Sequence, residues 1–192
     1  LNTKVETQMN PWRIPGWGLV VVLVLAGGFL AVESALSDHD RHRYRRRHLD
    51  HGARHLAPVS NATYQSRCGA CHFTYQPSLL PSGSWSKILA RLDKHFGRTV
   101  DLDAASRKTI AAYLTANAAE RSPATRARRI MRCLGGQTPL RITDVPYIRR
   151  KHRKLSAAVF QRPKVGSFSN CAACHVSAAR GVYEDHDVRI PE

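Results

Sequence analysis

Cys68-Gly69-Ala70-Cys71-His72 is the stretch that decides how this chain reads, and it recurs as Cys171-Ala172-Ala173-Cys174-His175. Each is a C-x-x-C-H segment, the attachment pattern of a c-type haem. The spacing has a chemical cause. Two thiols three positions apart lie on one side of a helical turn, where they can form thioethers with two vinyl groups on one porphyrin edge. The next residue, His72 or His175, then lies under the iron and supplies an imidazole nitrogen.

Other uses of paired cysteines fit less well. A structural zinc site needs four ligands, and two C-x-x-C pairs could supply them, but zinc does not require a histidine directly after each pair. A thioredoxin-like C-x-x-C belongs to a βαβ pattern, which this sequence lacks. A disulfide framework leaves an odd cysteine among the five. Haem attachment uses four of them, and Cys133 then reads as a buried or half-buried thiol.

The chain has 192 residues, enough for one domain or two small ones, and a formal net charge of +16. Two porphyrins would enlarge an otherwise modest core. Nucleic acid is one partner class for such a charge, an acidic redox protein or an anionic membrane surface another. Haem c is attached outside the cytoplasm, away from DNA, so nucleic acid is set aside and an acidic electron-transfer partner is expected.

Residues 1–36 read as a signal peptide or an N-terminal membrane anchor. Ile14 to Val32 carries no charge; its densest apolar part, Leu19–Ala31, suits a signal-peptide core, while the whole run could just span with Trp17 at the interface. Arg41, Arg43, Arg45, Arg46, Arg47 and Arg54 follow the run, against only Lys4 and Arg13 before it. Positive-inside bias alone would keep the wrong end in the cytoplasm. The haem motifs demand export, so a periplasmic location is expected, either soluble or anchored by residues 14–32. Residues 37–57 are rich in Arg and His without apolar periodicity and read as a solvated linker. A haem-bearing domain is expected over 58–192.

Nowhere does convincing period-2 alternation appear, so the fold class is all-α: small helices packed around two covalent haems. Ser60 or Asn61 caps a helix carrying Cys68 and Cys71. Ser82 or Ser84 opens a helix running to Gly97, with Trp85, Ile88, Leu89, Leu92 and Phe96 as its apolar stripe and His95 on the border. Asp101 or Asp103 caps a helix over 104–119. Ser122-Pro123 opens another, closed by Gly135-Gly136. Thr143 or Asp144 caps a short helix in which Ile148 and His152 share a face. A last helix bears the second motif.

A haem with one His ligand stays open or closes with Met or a second His, and an axial Met raises the potential. Only Met9 and Met131 exist, and Met9 precedes the export segment. Two His/Met haems are therefore impossible within one chain. His186 lies in the acidic run Glu184-Asp-His-Asp187 and reads as exposed. His95 and His152 sit among apolar neighbours and are the expected distal ligands, giving two bis-His, low-spin haems with iron ligands His72, His95, His152 and His175. Sequence order pairs His95 with the first motif and His152 with the second, with the crossed pairing open. Arg141 and Arg189 are candidate propionate partners.

YQSRCGACHFTYQPSLLPSGSWSKILARLDKHFGR at 64–98, RITDVPYIRRKH at 141–152, Asn170–His175 and the closing Arg189-Ile-Pro191 resemble the bacterial dihaem cytochrome c family. The likeness spans roughly residues 60–191. It implies a mainly helical periplasmic electron carrier with two bis-His haems, its distal ligands matching His95 in KHFG and His152 in RKH. By the same resemblance, the partners are a small oxygen-binding monohaem cytochrome c and a membrane b-type cytochrome. No catalytic base or nucleophile is identifiable. The expectation is an electron carrier rather than an enzyme. The alternatives are a dihaem peroxidase or reductase, and a haem-based redox or ligand sensor with a displaceable distal ligand. The basic segments 121–132 and 149–154 are candidate docking surfaces.

Overall fold

Seven short helices and no strand make up the regular structure of residues 54–192, the part described by this computed structural model. The N-terminal hydrophobic segment and nearly all of the Arg/His-rich linker lie outside those residues. The helices are α1 (Ala62–Cys68), α2 (Ser82–Leu89), α3 (Ala104–Ala116), α4 (Thr125–Leu134), α5 (Pro146–His152), α6 (Ala157–Gln161) and α7 (Cys171–Cys174). Single 3-10 turns join several of them. Two isolated bridges, His95 with Arg98 and His175 with Val188, are the only β-type pairings among the described residues.

Two helix contacts organise the domain. α3 packs on α1 and α2, and α4 packs on α5. Ile110 and Leu114 of α3 meet Trp85 and Leu89 of α2 and Tyr64 of α1, while Ala127, Ile130 and Leu134 turn the inner face of α4 into the same core. Leu56 is already buried in that core, and its N–H donates to the Gly181 carbonyl at 3.1 Å. At Gly181 φ is +75°, and a Cβ there would run into the Leu56 carbonyl, so only glycine serves both demands.

Capping follows the sequence in part. Asn61 Oδ1 accepts the Tyr64 N–H at 2.8 Å, and Asp103 Oδ1 accepts that of Ser106 at 2.7 Å. α3 stops at Ala116, ahead of the expected end. Elsewhere the expected caps are not used. α4 begins at Thr125, two residues beyond the expected start, because Ala119–Arg121 forms a 3-10 turn and Ala124 is drawn into the core. Thr143 and Asp144 belong to a 3-10 turn, and α5 opens on Pro146, whose missing N–H needs no cap.

The largest departure is the helix expected to run from Ser82 to Gly97. It ends at Leu89. The Leu89 carbonyl, which the Asp93 N–H would take in a continuing helix, instead accepts the Arg107 guanidinium at 2.6 Å. A 3-10 turn at Leu92–Lys94 then keeps Leu92 in the core. Phe96, placed on the apolar stripe from sequence, is 45% exposed. It lies beyond the break, in a turn that points it outward.

Glu120 holds the start of α2 from across the fold. Its carboxylate accepts the Ser82 N–H at 3.0 Å and also the Ser82 hydroxyl. Burial pushes the Glu120 pKa up, but the hydrogen bonds from Ser82 more than offset it, and the net shift is downward. A carboxylate lowered on folding contributes stability above its unfolded value, about 4.5, and loses it as pH falls through the folded value. Glu120→Gln is therefore expected to flatten the acid limb of the unfolding curve below about pH 4.5, as read by circular dichroism across pH.

Candidate haem centres

Both C-x-x-C-H segments sit at helix ends, but in different ways. Cys68 is the last residue of α1, and the Gly69 N–H closes the helix on the Gln65 carbonyl at 2.9 Å. A side chain at 69 would collide with that carbonyl and with Thr74, so the chain can turn sharply only because the residue is glycine. Cys71 and His72 therefore lie past the helix, not on it as the spacing suggested. In the second motif one helical turn, α7, carries both Cys171 and Cys174, and the His175 N–H donates to the Cys171 carbonyl at 2.9 Å.

Each motif histidine faces one second imidazole. The rings of His72 and His95 are 6.3 Å apart between centres and inclined by 23°. Those of His175 and His152 are 5.9 Å apart and inclined by 81°. An imidazole nitrogen binds a transition metal at about 2 Å, so two imidazoles clasping one ion from opposite sides hold their centres about 6 Å apart. Both pairs have that separation. Each separation leaves room for one iron, and the rings brought together are His72 with His95 and His175 with His152.

Local backbone prepares these rings. The Nδ1 atoms of His72 and His152 each lie 2.8 Å from a carbonyl oxygen, of Phe73 and Ile148 respectively. A carbonyl can only accept, so Nδ1 carries the proton and Nε2 keeps its lone pair for a metal. His152 gains its acceptor because it sits one turn after Ile148 at the end of α5. His95 lies not on a helix but at the head of a tight turn, where the Arg98 N–H donates to the His95 carbonyl at 3.0 Å. Phe96 at φ 50° and Gly97 at φ 88° form its left-handed centre. Phe96 carries a Cβ in that region and is held there under the Arg141 guanidinium, 4.1 Å from its ring centre.

Electrostatics favour the neutral form of two of the four rings. Burial lowers the His95 pKa, and His72 and Arg141 push the same way. Burial also lowers that of His175, aided by His152 and Arg126 and opposed by Asp185. A neutral imidazole is the ligating form. Burial pushes the Cys68 and Cys171 thiols each up to about 11. The second pair opens on a cavity of about 310 Å³ with apolar walls that include Leu79, Ile130, Ile142, Ile148, Phe168 and Val188. His175 Nδ1 is buried there without a hydrogen-bond partner.

Other expected residues are also placed. Met131 packs on the core from a half-buried position and does not line the cavity. The His186 side chain is 79% exposed. Arg189 donates to the His186 and Val188 carbonyls at 3.0 and 2.9 Å. Half-buried Cys133 accepts from the Arg150 guanidinium at 3.3 Å. Among the described residues no three His, Cys, Asp or Glu side chains gather as an ion cage, so the cysteine pairs do not converge on a zinc site.

Sequence reasoning missed the group that ties the two centres together. Gln76 is fully buried, donates to the Ala178 carbonyl at 2.6 Å and accepts the Tyr183 hydroxyl at 2.6 Å. The Tyr75 ring lies 5.2 Å from that of His72, tilted by 31°, and its hydroxyl donates to the Ser169 carbonyl at 2.7 Å, two residues ahead of Cys171. Tyr183 in turn lies 5.2 Å from His175. Only the polar Gln76 beside Tyr75, in a loop rich in Pro and Leu, hinted at this, and its partners are more than a hundred residues away.

Short helices gathered around two C-x-x-C-H motifs, each facing a second imidazole, define a multihaem c-type cytochrome. The Dihaem cytochrome c family matches residues 64–183. A diheme cytochrome c from Rhodobacter sphaeroides is 43% identical over 67% of this chain and 100% of its own, with a TM-score of 0.59. A second structure of DHC purified from that organism is 40% identical, covering 66% and 99%, with a TM-score of 0.54. A diheme cytochrome type c from Shewanella baltica OS155 is 35% identical, covering 68% and 93%, with a TM-score of 0.57. No curated protein matched. The chain belongs to the dihaem cytochrome c family and carries two covalently bound haem c groups.

Removing one partner of a buried polar group leaves the others unsatisfied, at a cost of about 1–3 kcal/mol. Gln76→Ala orphans both the Tyr183 hydroxyl and the Ala178 carbonyl. It is expected to lower the denaturant midpoint of the haem-loaded protein by that order, while Tyr183→Phe, which leaves the Gln76–Ala178 bond in place, costs less.

Proposed function

We propose that this electron-transfer haemoprotein is a periplasmic carrier in which both irons are closed by two histidines: His72 with His95, and His175 with His152. The observation that carries the reading is the facing of each motif histidine by a second imidazole at one metal's width. A c-type haem supplies reversible one-electron iron chemistry when bound. Burial favours the neutral form of His95 and His175, backbone carbonyls take the Nδ1–H of His72 and His152 and leave their Nε2 free, and apolar side chains wall the second centre. A centre closed on both sides offers no open position to a substrate. That favours a carrier over a peroxidase, a reductase or a ligand sensor.

Tyr75 supports a relay between the centres, since it touches His72 at one end and the Cys171 turn at the other. Electrons would pass between a membrane donor and a soluble acidic acceptor. By family resemblance these are a membrane b-type cytochrome and a small monohaem cytochrome c. Residues 1–36 would direct export, as a removed signal or as an anchor through residues 14–32.

His95→Ala and His152→Ala are each expected to convert one haem equivalent from low-spin to high-spin ferric, read by visible and electron paramagnetic resonance spectra. If neither changes the spin state, the ligand assignment is wrong. A substantial high-spin signal from the unaltered protein at rest sinks the carrier reading. Deleting residues 1–36 is expected to leave a cytoplasmic polypeptide without covalent haem, seen as loss of haem staining on a denaturing gel; a pigmented product argues against export by this segment.

A further inference from the structure

Four cations meet where α4 and α5 pack. Arg129 and Arg132 of α4 and Arg150 and Lys151 of α5 converge on a cleft of about 350 Å³, completed by Cys133 and Tyr147. No carboxylate lines it. Among the described residues, the one ion pair that reaches it is Lys151 with Asp185, at 3.7 Å, and the Asp185 side chain is 91% exposed. Arg129, Arg132 and Arg150 are all exposed to solvent. Like charges packed this closely repel one another, so the cleft favours an arriving surface that brings carboxylates.

The cleft also adjoins the second centre. Tyr147 and Lys151 line both the cleft and the apolar cavity holding His152 and His175. Tyr147 is buried, with the Arg150 guanidinium 5.7 Å from its ring centre on the cleft side and the Arg126 guanidinium 3.4 Å from its hydroxyl. His152 directly follows Lys151 on α5. One layer of side chain therefore separates the basic surface from the ring proposed to hold the second iron.

Resting on the carrier reading above, we infer that the α4–α5 cleft is the docking surface for an acidic redox protein, which exchanges electrons with the second haem through the Tyr147 wall. Carboxylates of the partner pair with Arg129, Arg132 and Arg150. The first centre, across the Tyr75 bridge, then refills the second.

Stopped-flow reduction of the ferric holoprotein by an acidic flavodoxin hydroquinone tests this. The flavodoxin serves as a defined acidic one-electron protein. Arg129→Glu with Arg132→Glu reverses two cleft charges, and neither residue lines the haem cavity. Lys108→Glu with Lys164→Glu changes net charge equally at exposed positions outside the cleft. At low ionic strength the cleft pair is expected to slow reduction about tenfold or more and flatten its salt dependence, and the control pair to slow it less than about twofold. Equal slowing by both pairs, or none by the cleft pair, overturns the inference. So does loss of binding to phosphatidylglycerol vesicles by the cleft pair with an unchanged rate, which would make the cleft a membrane contact. The milder Arg129→Gln with Arg132→Gln pair carries the same test if the glutamate pair fails to bind haem, with a smaller slowing in the same direction. Spectra of the unaltered protein separate the two readings: a high-spin resting state fails the carrier proposal, whereas low-spin spectra with cleft-independent rates fail only the docking surface.

Discussion

The buried amide of Gln76 joins the two halves of the domain. It lies four residues past His72 and reaches Ala178 and Tyr183, three and eight residues past His175. Inside the core each of these bonds is made in a low dielectric, and none of its groups has water as a substitute partner. The loop after the first motif and the segment after the second are thereby fixed against one another. Tyr75 and Tyr183 on either side of the amide put aromatic rings against both motif histidines. A carrier with two centres needs a constant spacing between them, and this buried network supplies a rigid reason for one.

Around that tie the two centres are built by different means. The second uses regular structure: α5 delivers His152 at its C-terminus, α7 delivers both cysteines on one turn, and apolar residues from α4 and the closing segment form the walls. The first uses irregular structure. Gly69 ends α1 before Cys71, and a left-handed turn through Phe96 and Gly97 follows His95. Strain at Phe96 is the kind of local cost that surrounding contacts hold in place, here the Arg141 guanidinium against its ring. Cys71 and His72 are exposed in the first centre, whereas their counterparts Cys174 and His175 are half-buried. The protein's own side chains thus cover the second motif more than the first.

Charge follows the same division. The arginines of α4 and α5 lie together because those helices pack side by side, although their segments are separate in sequence. Arg126 departs from the group: its side chain is only 16% exposed, it donates to the Tyr183 carbonyl at 2.7 Å, and it lies 3.8 Å from Glu184. A cation near the second pair, partly balanced by one carboxylate, belongs to the interior electrostatics of that centre rather than to the outer basic face.

The amino-acid sequence by itself determined the chemistry. Two C-x-x-C-H motifs specify covalent haem because thiol spacing and the adjacent imidazole are local properties, readable without a fold. The all-α class, a cap at Ser60 or Asn61 and another at Asp101 or Asp103, and the expectation of His95 and His152 as distal ligands came from equally local signals or from elimination among few candidates. Tertiary structure alone decided which imidazole faces which, since that depends on where distant segments come to rest. It also decided the break after Leu89, where Arg107 from another helix takes a carbonyl that local propensity assigned to the chain itself. Gln76 and its partners were invisible for the same reason: a buried polar residue acquires its meaning only from groups about a hundred positions away, brought within hydrogen-bond distance by the core.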